Sequence, residues 1–160
     1  MNFDEFLQRP HPFLAGMSET HLRLLAENAT QVHFAAGARI FREGDTAKHF
    51  YLIQRGKIVL QTHSAGHPVP IQTLDSGEVL GWSWLFPPYC WHFDAWAEED
   101  TDAISFSATR LRDDCETDKT FGYALMKRIA ELLIHRLQAT RLKLVLTHKV
   151  EHRTALPIGG

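Results

Sequence analysis

The sequence predicts a mainly β domain, a sandwich or barrel, flanked by short N-terminal helices and a long C-terminal helix. Three observations carry that expectation. Between Gln31 and Ala108 short β-prone runs recur with a turn roughly every 8–12 residues, the rhythm of antiparallel β domains. Beyond Asp118 the apolar residues fall instead at steps of three and four, the period of a helix. Between these regions lies Gly77–Ala97, which holds all four tryptophans, Trp82, Trp84, Trp91 and Trp96, together with Phe86, Tyr89 and Phe93. Rings at that density cannot all be left in water.

Taken in order, residues 1–30 read as helices that pack on something larger. Phe3, Phe6 and Leu7 have helical spacing within Asn2–Leu14, and Pro10 and Pro12 end the run. Ser18 is a fit N-cap for a second helix with Glu19 in its first turn and an apolar face of Leu22, Leu25 and Ala29. Residues 31–108 form the β region. Val32 and Phe34, Ile40 and Phe41, Tyr51–Ile53, Ile58–Leu60, Ile71 and Leu74, and Ala103–Ala108 supply the strands. Gln54–Lys57 reads as a hairpin turn, Ser64–Pro68 as a second turn and Asp75–Gly77 as a third. Within 77–97 the plain reading is strand, tight turn at Gly81, one short helical turn, a loop stiffened by Pro87 and Pro88, then strand. Residues 109–149 are helical. Leu111–Glu116 makes one turn or two, and Asp118 caps a helix running to about Thr147, weakened near its start by Gly122. Over 119–147 it would span ~43 Å at 1.5 Å per residue. Leu125, Ile129, Leu132, Leu133, Leu137, Leu144 and Val145 mark its apolar stripe, and so long an amphipathic helix finds a second helix. The tail, 150–160, is expected to be loose.

Composition narrows the function classes. With 160 residues, 44% hydrophobic and 22% charged, the chain is ordinary for one soluble domain. No apolar run approaches the ~20 residues of a membrane span, and Asp4 and Glu5 occupy the start where a secretory signal would be basic. Two cysteines, Cys90 and Cys115, make no disulfide framework. A cytoplasmic protein with no membrane partner is expected. The net charge of −2 hides an asymmetry: 1–118 carries 17 acids against 9 Lys/Arg, and 119–160 carries 8 Lys/Arg against 2 acids. A basic helix attracts nucleic acid weakly, but no nucleic-acid motif accompanies it and the plain reading is a solvated face.

The ten histidines raise a metal reading. Cys90 and His92 would share one face of a strand, and His63 and His67 lie four apart in a turn. No CxxC and no HxxxH on a clear helix supports them, and a cupin-like His-x-His with a following Glu is missing. No metal is expected. The acidic run Glu98–Asp102 reads as a solvated turn. No nucleophile with a placed base is visible, so no catalytic residue is assigned and the chain is not expected to be an enzyme.

The order of elements carries a family resemblance. Gly37-x-x-Ile40-Phe41-x-Glu43-Gly44-Asp45 followed by Phe50-Tyr51-Leu52-Ile53-x-x-Gly56-Lys57-x-Val59 resembles the first half of a cyclic nucleotide-binding domain of the catabolite activator (CRP/FNR-like) family. Gly77-Glu78-x-x-Gly81 is similar to the start of its phosphate-binding cassette, and Met126–Leu144, above all Arg136–Thr140, resembles its long dimerising helix. The resemblance covers roughly residues 13–147. It implies an eight-stranded antiparallel β-roll, or jelly roll, with flanking helices, and a ligand site at Gly81, Trp82, Ser83, Trp84, His92, Phe93, Asp94 and Ala95 with Thr140 on the helix. In the family a Glu after the second cassette glycine takes the ribose, and an Arg-Ser pair takes the cyclic phosphate with backbone N–H groups. Here the Glu position is Trp82. Aligning on Ala95 puts Phe93 and Asp94 at the Arg and Ser positions, and a shift of one puts His92 there. An arginine stands in neither register. Arg offers the phosphate two charge-assisted bonds where Phe offers none.

The chain is therefore expected to be a non-enzymatic, small-molecule-sensing or regulatory module with lost or weakened cyclic nucleotide binding. It needs no cofactor, takes at most a small ligand under the cassette, and dimerises through Leu125, Ile129, Leu133, Leu137 and Leu144. Two alternatives stay open: a ligand-free dimeric interaction module whose rings fill the pocket, and a true cyclic nucleotide binder in which protonated His92 replaces the arginine. A metal-dependent β-barrel enzyme is a third, weaker reading. No recognition helix follows the long helix within these residues, so no sequence-specific nucleic acid binding is expected.

Overall fold

The structure, a computed structural model, describes residues 1–154, the last three by backbone alone. Helix α1 spans Phe3–Leu7 and is closed by a capping box, Asn2 accepting from Glu5 N while the Glu5 carboxylate accepts from Asn2 N. A 3-10 turn follows at Pro12–Leu14. Helix α2, Glu19–Asn28, begins on Ser18, whose hydroxyl accepts from His21 N. It is one residue shorter than expected on its apolar face, because Ala29 already opens strand β1, Ala29–Phe34.

Seven further strands follow: β2 Arg39–Phe41, β3 His49–Arg55, β4 Lys57–Ser64, β5 His67–Asp75, β6 Val79–Leu80, β7 Asp94–Ala97 and β8 Thr101–Ser107. They form two four-stranded sheets, ordered β1-β8-β3-β6 and β2-β7-β4-β5, with every pairing antiparallel. The mainly β, eight-stranded architecture is as the sequence predicts. One turn is not. Gln54–Lys57 joins no hairpin, because β3 and β4 lie in different sheets. Gly56 turns the chain from one sheet to the other at φ +99, where a Cβ would collide with Asp100 and Thr101. Only a residue without a side chain fits so close an approach. Among the described residues the one long hairpin is β4–β5, turning at Ala65 and Gly66.

Ile58, Leu60, Leu74, Ala95 and Ala97 of one sheet and Leu52, Ile53, Ala103, Ile104 and Phe106 of the other are buried. The N-terminal segment adds Phe6, which meets Phe106 edge-on with centroids 6.4 Å apart. Buried His11 anchors that segment. Its Nδ1 accepts from Phe13 N, so Nε2 carries the proton and donates to the carbonyls of Ile53, at 3.1 Å, and Glu78, at 3.2 Å. Burial holds this imidazole below its ordinary value against the opposing pull of the two carbonyls.

Helix α3 spans Ala108–Thr117, nearly three turns where the sequence predicts one or two. Helix α4 spans Lys119–Thr154, with Asp118 accepting from Phe121 N at 3.0 Å. It runs past the expected end near Thr147, since nothing between Thr147 and Thr154 breaks a helix. The expected loose tail is thus helical through Thr154, and its remainder, 155–160, lies outside the described residues. Met1–Gly122 forms one compact unit and the chain from Tyr123 a second. Gly122 is tight against the end of α3, where a Cβ would sit 2.8 Å from Cys115 O. Among the described residues no helix is long and apolar enough to cross a membrane.

Candidate functional site

The segment following β5 has the shape its residues predict. Gly77 and Gly81 both have positive φ, and between them runs β6. Ser83–Leu85 makes a 3-10 turn, Pro87-Pro88 is a cis pair, Cys90 bridges to Thr46, and β7 begins at Asp94. At Gly81, φ +94, a Cβ would lie 2.6 and 2.8 Å from two carbons of the Trp91 ring. Trp91 is 4% exposed and its ring lies flat on Phe41, centroids 3.8 Å apart and planes 7° apart. The glycine is there to admit an indole.

The expected site residues separate into groups. Trp82 and Phe93 meet edge-to-face with centroids 6.4 Å apart, and Phe93 lies 6.2 Å from Phe41. Asp94 is 4% exposed, and its Oδ1 accepts from Glu43 N at 2.7 Å. It ties β7 to the Glu43-Gly44 turn. Ala95 is fully buried, in register with Leu60 and Phe41. His92 is exposed and makes no hydrogen bond or ion pair among the described residues. Trp84 is fully buried against Phe50, centroids 5.6 Å apart. In the single chain its side chain belongs to the core. Ser83 Oγ and Trp84 Nε1 are buried with no hydrogen-bond partner among the described residues. Thr140 is exposed, and its hydroxyl donates to Arg136 O one turn back in its own helix. Leu125 and Ile129, expected at a dimer seam, are 0% and 3% exposed in the single chain, whereas Leu137 and Leu144 are 50% and 66% exposed.

Two residues outside the expected ligand-site set pack against this segment. Trp91 is one; its packing on Gly81 needs a fold to be seen. Arg112 on α3 is the other. Its Nη1 donates to Trp84 O at 2.7 Å, and its guanidinium lies 4.3 Å from the centroid of Tyr89. Tyr89 has φ +54, a left-handed conformation that costs a side-chain-bearing residue. Its backbone is held by Ala47 N donating to its carbonyl at 2.6 Å and by its own N–H donating to Phe86 O.

Charge around this segment is sparse or balanced. Phe41 and Trp91 also line a cavity of about 380 Å³ with Asp45, Lys48, His49 and Tyr51. Burial, with Lys48 adding to it, holds His49 below its ordinary value, and burial pushes the Tyr51 hydroxyl up to about 12. Both are uncharged at neutral pH, and the lining includes one acid, Asp45, and one base, Lys48. A second cavity, of about 580 Å³, sets Arg39, Arg42 and His63 against Glu43 and Asp94. The first is lined by no arginine, and in the second Arg39 and Arg42 share the lining with the carboxylates of Glu43 and Asp94. No group of three or more His, Cys, Asp or Glu among the described residues could hold a metal ion.

No curated protein matches the sequence. Solved structures do. A putative cyclic nucleotide-binding protein from Geobacter metallireducens aligns at 26% identity and TM-score 0.75, covering 86% of this chain and 99% of that one. The catabolite activator protein of Thermus thermophilus aligns at 25% identity and TM-score 0.67, covering 86% of this chain and 63% of that one. A cyclic nucleotide-binding domain from Methylobacillus flagellatus shares the fold at TM-score 0.76 and 17% identity, covering 91% of this chain and 83% of that one. The family model described as the cyclic nucleotide-binding domain matches residues 31–118, more than half of the chain. With the two-sheet architecture and the glycine-bounded cassette, that match makes the chain a member of the cyclic nucleotide-binding domain family.

Proposed function

We propose that this chain is a non-enzymatic regulatory module whose cassette has lost, or greatly weakened, cyclic nucleotide binding. The observation that carries the reading is the contact between Trp82 and Phe93. These are the positions where the family resemblance calls for the ribose-binding glutamate and the phosphate-binding arginine. Two aromatic rings closing on each other remove both polar groups and occupy space a sugar phosphate needs. Asp94, at the serine position, is buried and engaged by Glu43 N, so it adds negative charge where a phosphate would lie. Losing a charge-assisted bidentate contact alone costs ~3 kcal/mol, about a hundredfold in affinity. The stack of Trp91 on Phe41 beneath Gly81 favours the ring-filled form of the reading, in which the β domain is an interaction module. In this reading the chain works in the cytoplasm, where its two free cysteines stay reduced, and dimerises through α4.

The test is titration of cyclic AMP and cyclic GMP, followed by tryptophan fluorescence and calorimetry. No saturation is expected in the low micromolar range. Binding near one micromolar that disappears in His92→Ala would show His92 acting in place of the arginine and would overturn the reading. The triple change Trp82→Glu, Phe93→Arg, Asp94→Ser should create or strengthen binding. If that variant folds and binds nothing, the assignment of these positions to the cassette is wrong.

A further inference from the structure

The N-terminal segment lines an open cavity of about 440 Å³ apart from the cassette. Its walls are apolar: Phe6, Leu7, Leu14 and Leu22, with Pro10 and Pro12 as stiff edges. Only two of its lining residues, Arg9 and His11, carry a polar side chain. His11 is unavailable, since Nδ1 accepts from Phe13 N and Nε2 donates to Ile53 O and Glu78 O. Arg9 is different. It is half-buried, and among the described residues its guanidinium makes no ion pair or hydrogen bond. Its backbone N–H bonds Phe6 O, which fixes where the side chain starts. The cavity therefore offers an apolar slot with a single cation at its edge. That size is within the usual range for small-molecule sites, which are mostly apolar with a few placed polar groups.

We infer that this cavity binds a small amphiphilic monocarboxylate, a medium-chain fatty acid in chemical class, with its tail among Phe6, Leu14 and Leu22 and its carboxylate paired to Arg9. An apolar tail answers the walls, and one negative charge answers the Arg9 guanidinium. Neutral sugars and nucleotides fit poorly, because the slot has almost no further donors or acceptors to replace their lost water. The site is also wired to the cassette. His11 is fastened to the carbonyl of Glu78, and a Cβ on Gly77, the first cassette glycine, would lie 3.5 Å from Pro12 Cγ. A ligand that shifts Pro10–Pro12 would therefore be felt where β6 begins.

The probes are hexanoate, octanoate and decanoate, with 1-octanol as the uncharged control, titrated into the full chain by calorimetry at neutral pH. Octanoate should bind at one site, about tenfold tighter than octanol, and each added methylene should tighten binding about fourfold until the cavity is full. Arg9→Gln should abolish the preference for octanoate over octanol while leaving octanol affinity unchanged. Ala15→Phe, at an exposed position lining the cavity, should weaken both by filling it, and circular dichroism establishes that each variant is folded. Equal affinity for octanoate and octanol, or octanoate binding untouched by both variants, overturns the assignment. So does the absence of octanoate binding at millimolar concentration. A cyclic nucleotide titration that contradicts the proposed function leaves this result unaffected.

Discussion

Gly81 and Trp91 show how one missing methyl decides the interior of the cassette. Alanine at 81 would face a carbon at 2.6 Å and a left-handed backbone at φ +94, so Gly81→Ala should destabilise by roughly 2–4 kcal/mol. At this chain length that lowers Tm by roughly 5–15 °C, measured by calorimetric melting, with loss of the Trp91 near-UV signal. His11 gives a pH dependence whose sign follows from its burial. Its folded pKa lies below the ordinary 6.5, so near and below that value the unfolded chain binds more protons than the folded one. The neutral imidazole's contribution is complete above pH 6.5 and is lost as pH falls through the folded value. Glutamine can still donate to Ile53 O and Glu78 O but has no proton to gain. The stability of His11→Gln, read from urea unfolding at pH 5 to 8, should therefore fall less steeply with acidification than that of the unmodified chain.

At the scale of elements, α3 and the cassette act as one piece through Arg112. The guanidinium satisfies Trp84 O and lies over the ring of Tyr89, whose left-handed backbone is costly to keep. Arg112→Ala leaves a carbonyl without its charged partner, a loss of about 1–3 kcal/mol. The loss should be local. Amide exchange across 82–91 should accelerate about tenfold or more, while the strands β3, β4 and β8 keep their protection. Arg112→Lys should restore part of the protection, since an ammonium reaches the carbonyl but cannot stack as a planar group on Tyr89. Unchanged exchange in Arg112→Ala would show that the loop is held by its own Pro87-Pro88 backbone.

At the scale of the whole molecule, α4 carries an exposed apolar face. Beyond Gly122 its exposed apolar side chains include Ile134, Leu137, Leu142, Leu144 and Val145, each more than half exposed or at 50%. A helix this long with that much exposed leucine has a partner in water. We expect a homodimer, and replacing Leu137 and Leu144 by Glu should give monomers, because two buried charges per chain cannot be paired in the seam. Light scattering at micromolar concentration reads the result, and one-chain mass for the unmodified protein rules the dimer out. The choice of these two leucines comes from the structure. Leu125 and Ile129 belong to the same apolar stripe but are already buried in the single chain, so their substitution would confuse folding with assembly.

What was legible in the residues was whatever local chemistry dictates. Strand runs, the turn glycines, the Ser18 and Asp118 caps, the short turn after Gly81 and the long helix all follow from period, propensity and capping. So did the lack of an arginine between Trp82 and Ala95, which is a matter of residue identity alone. What was not legible needed the chain brought back on itself. Gln54–Lys57 reads as a hairpin locally, yet Gly56 hands the chain to another sheet, because sheet membership is set by which distant strands share a core. Ring against ring is equally non-local: the sequence announces aromatic density in 77–97, but not that Trp84 goes to the core with Phe50, Trp91 onto Gly81 and Phe41, and Trp82 onto Phe93. Arg112 and His11 carry no sequence signal at all, since each acts on backbone carbonyls 25 or more residues away. A carbonyl is common to every residue, and only tertiary packing selects which one is left for a distant side chain to meet.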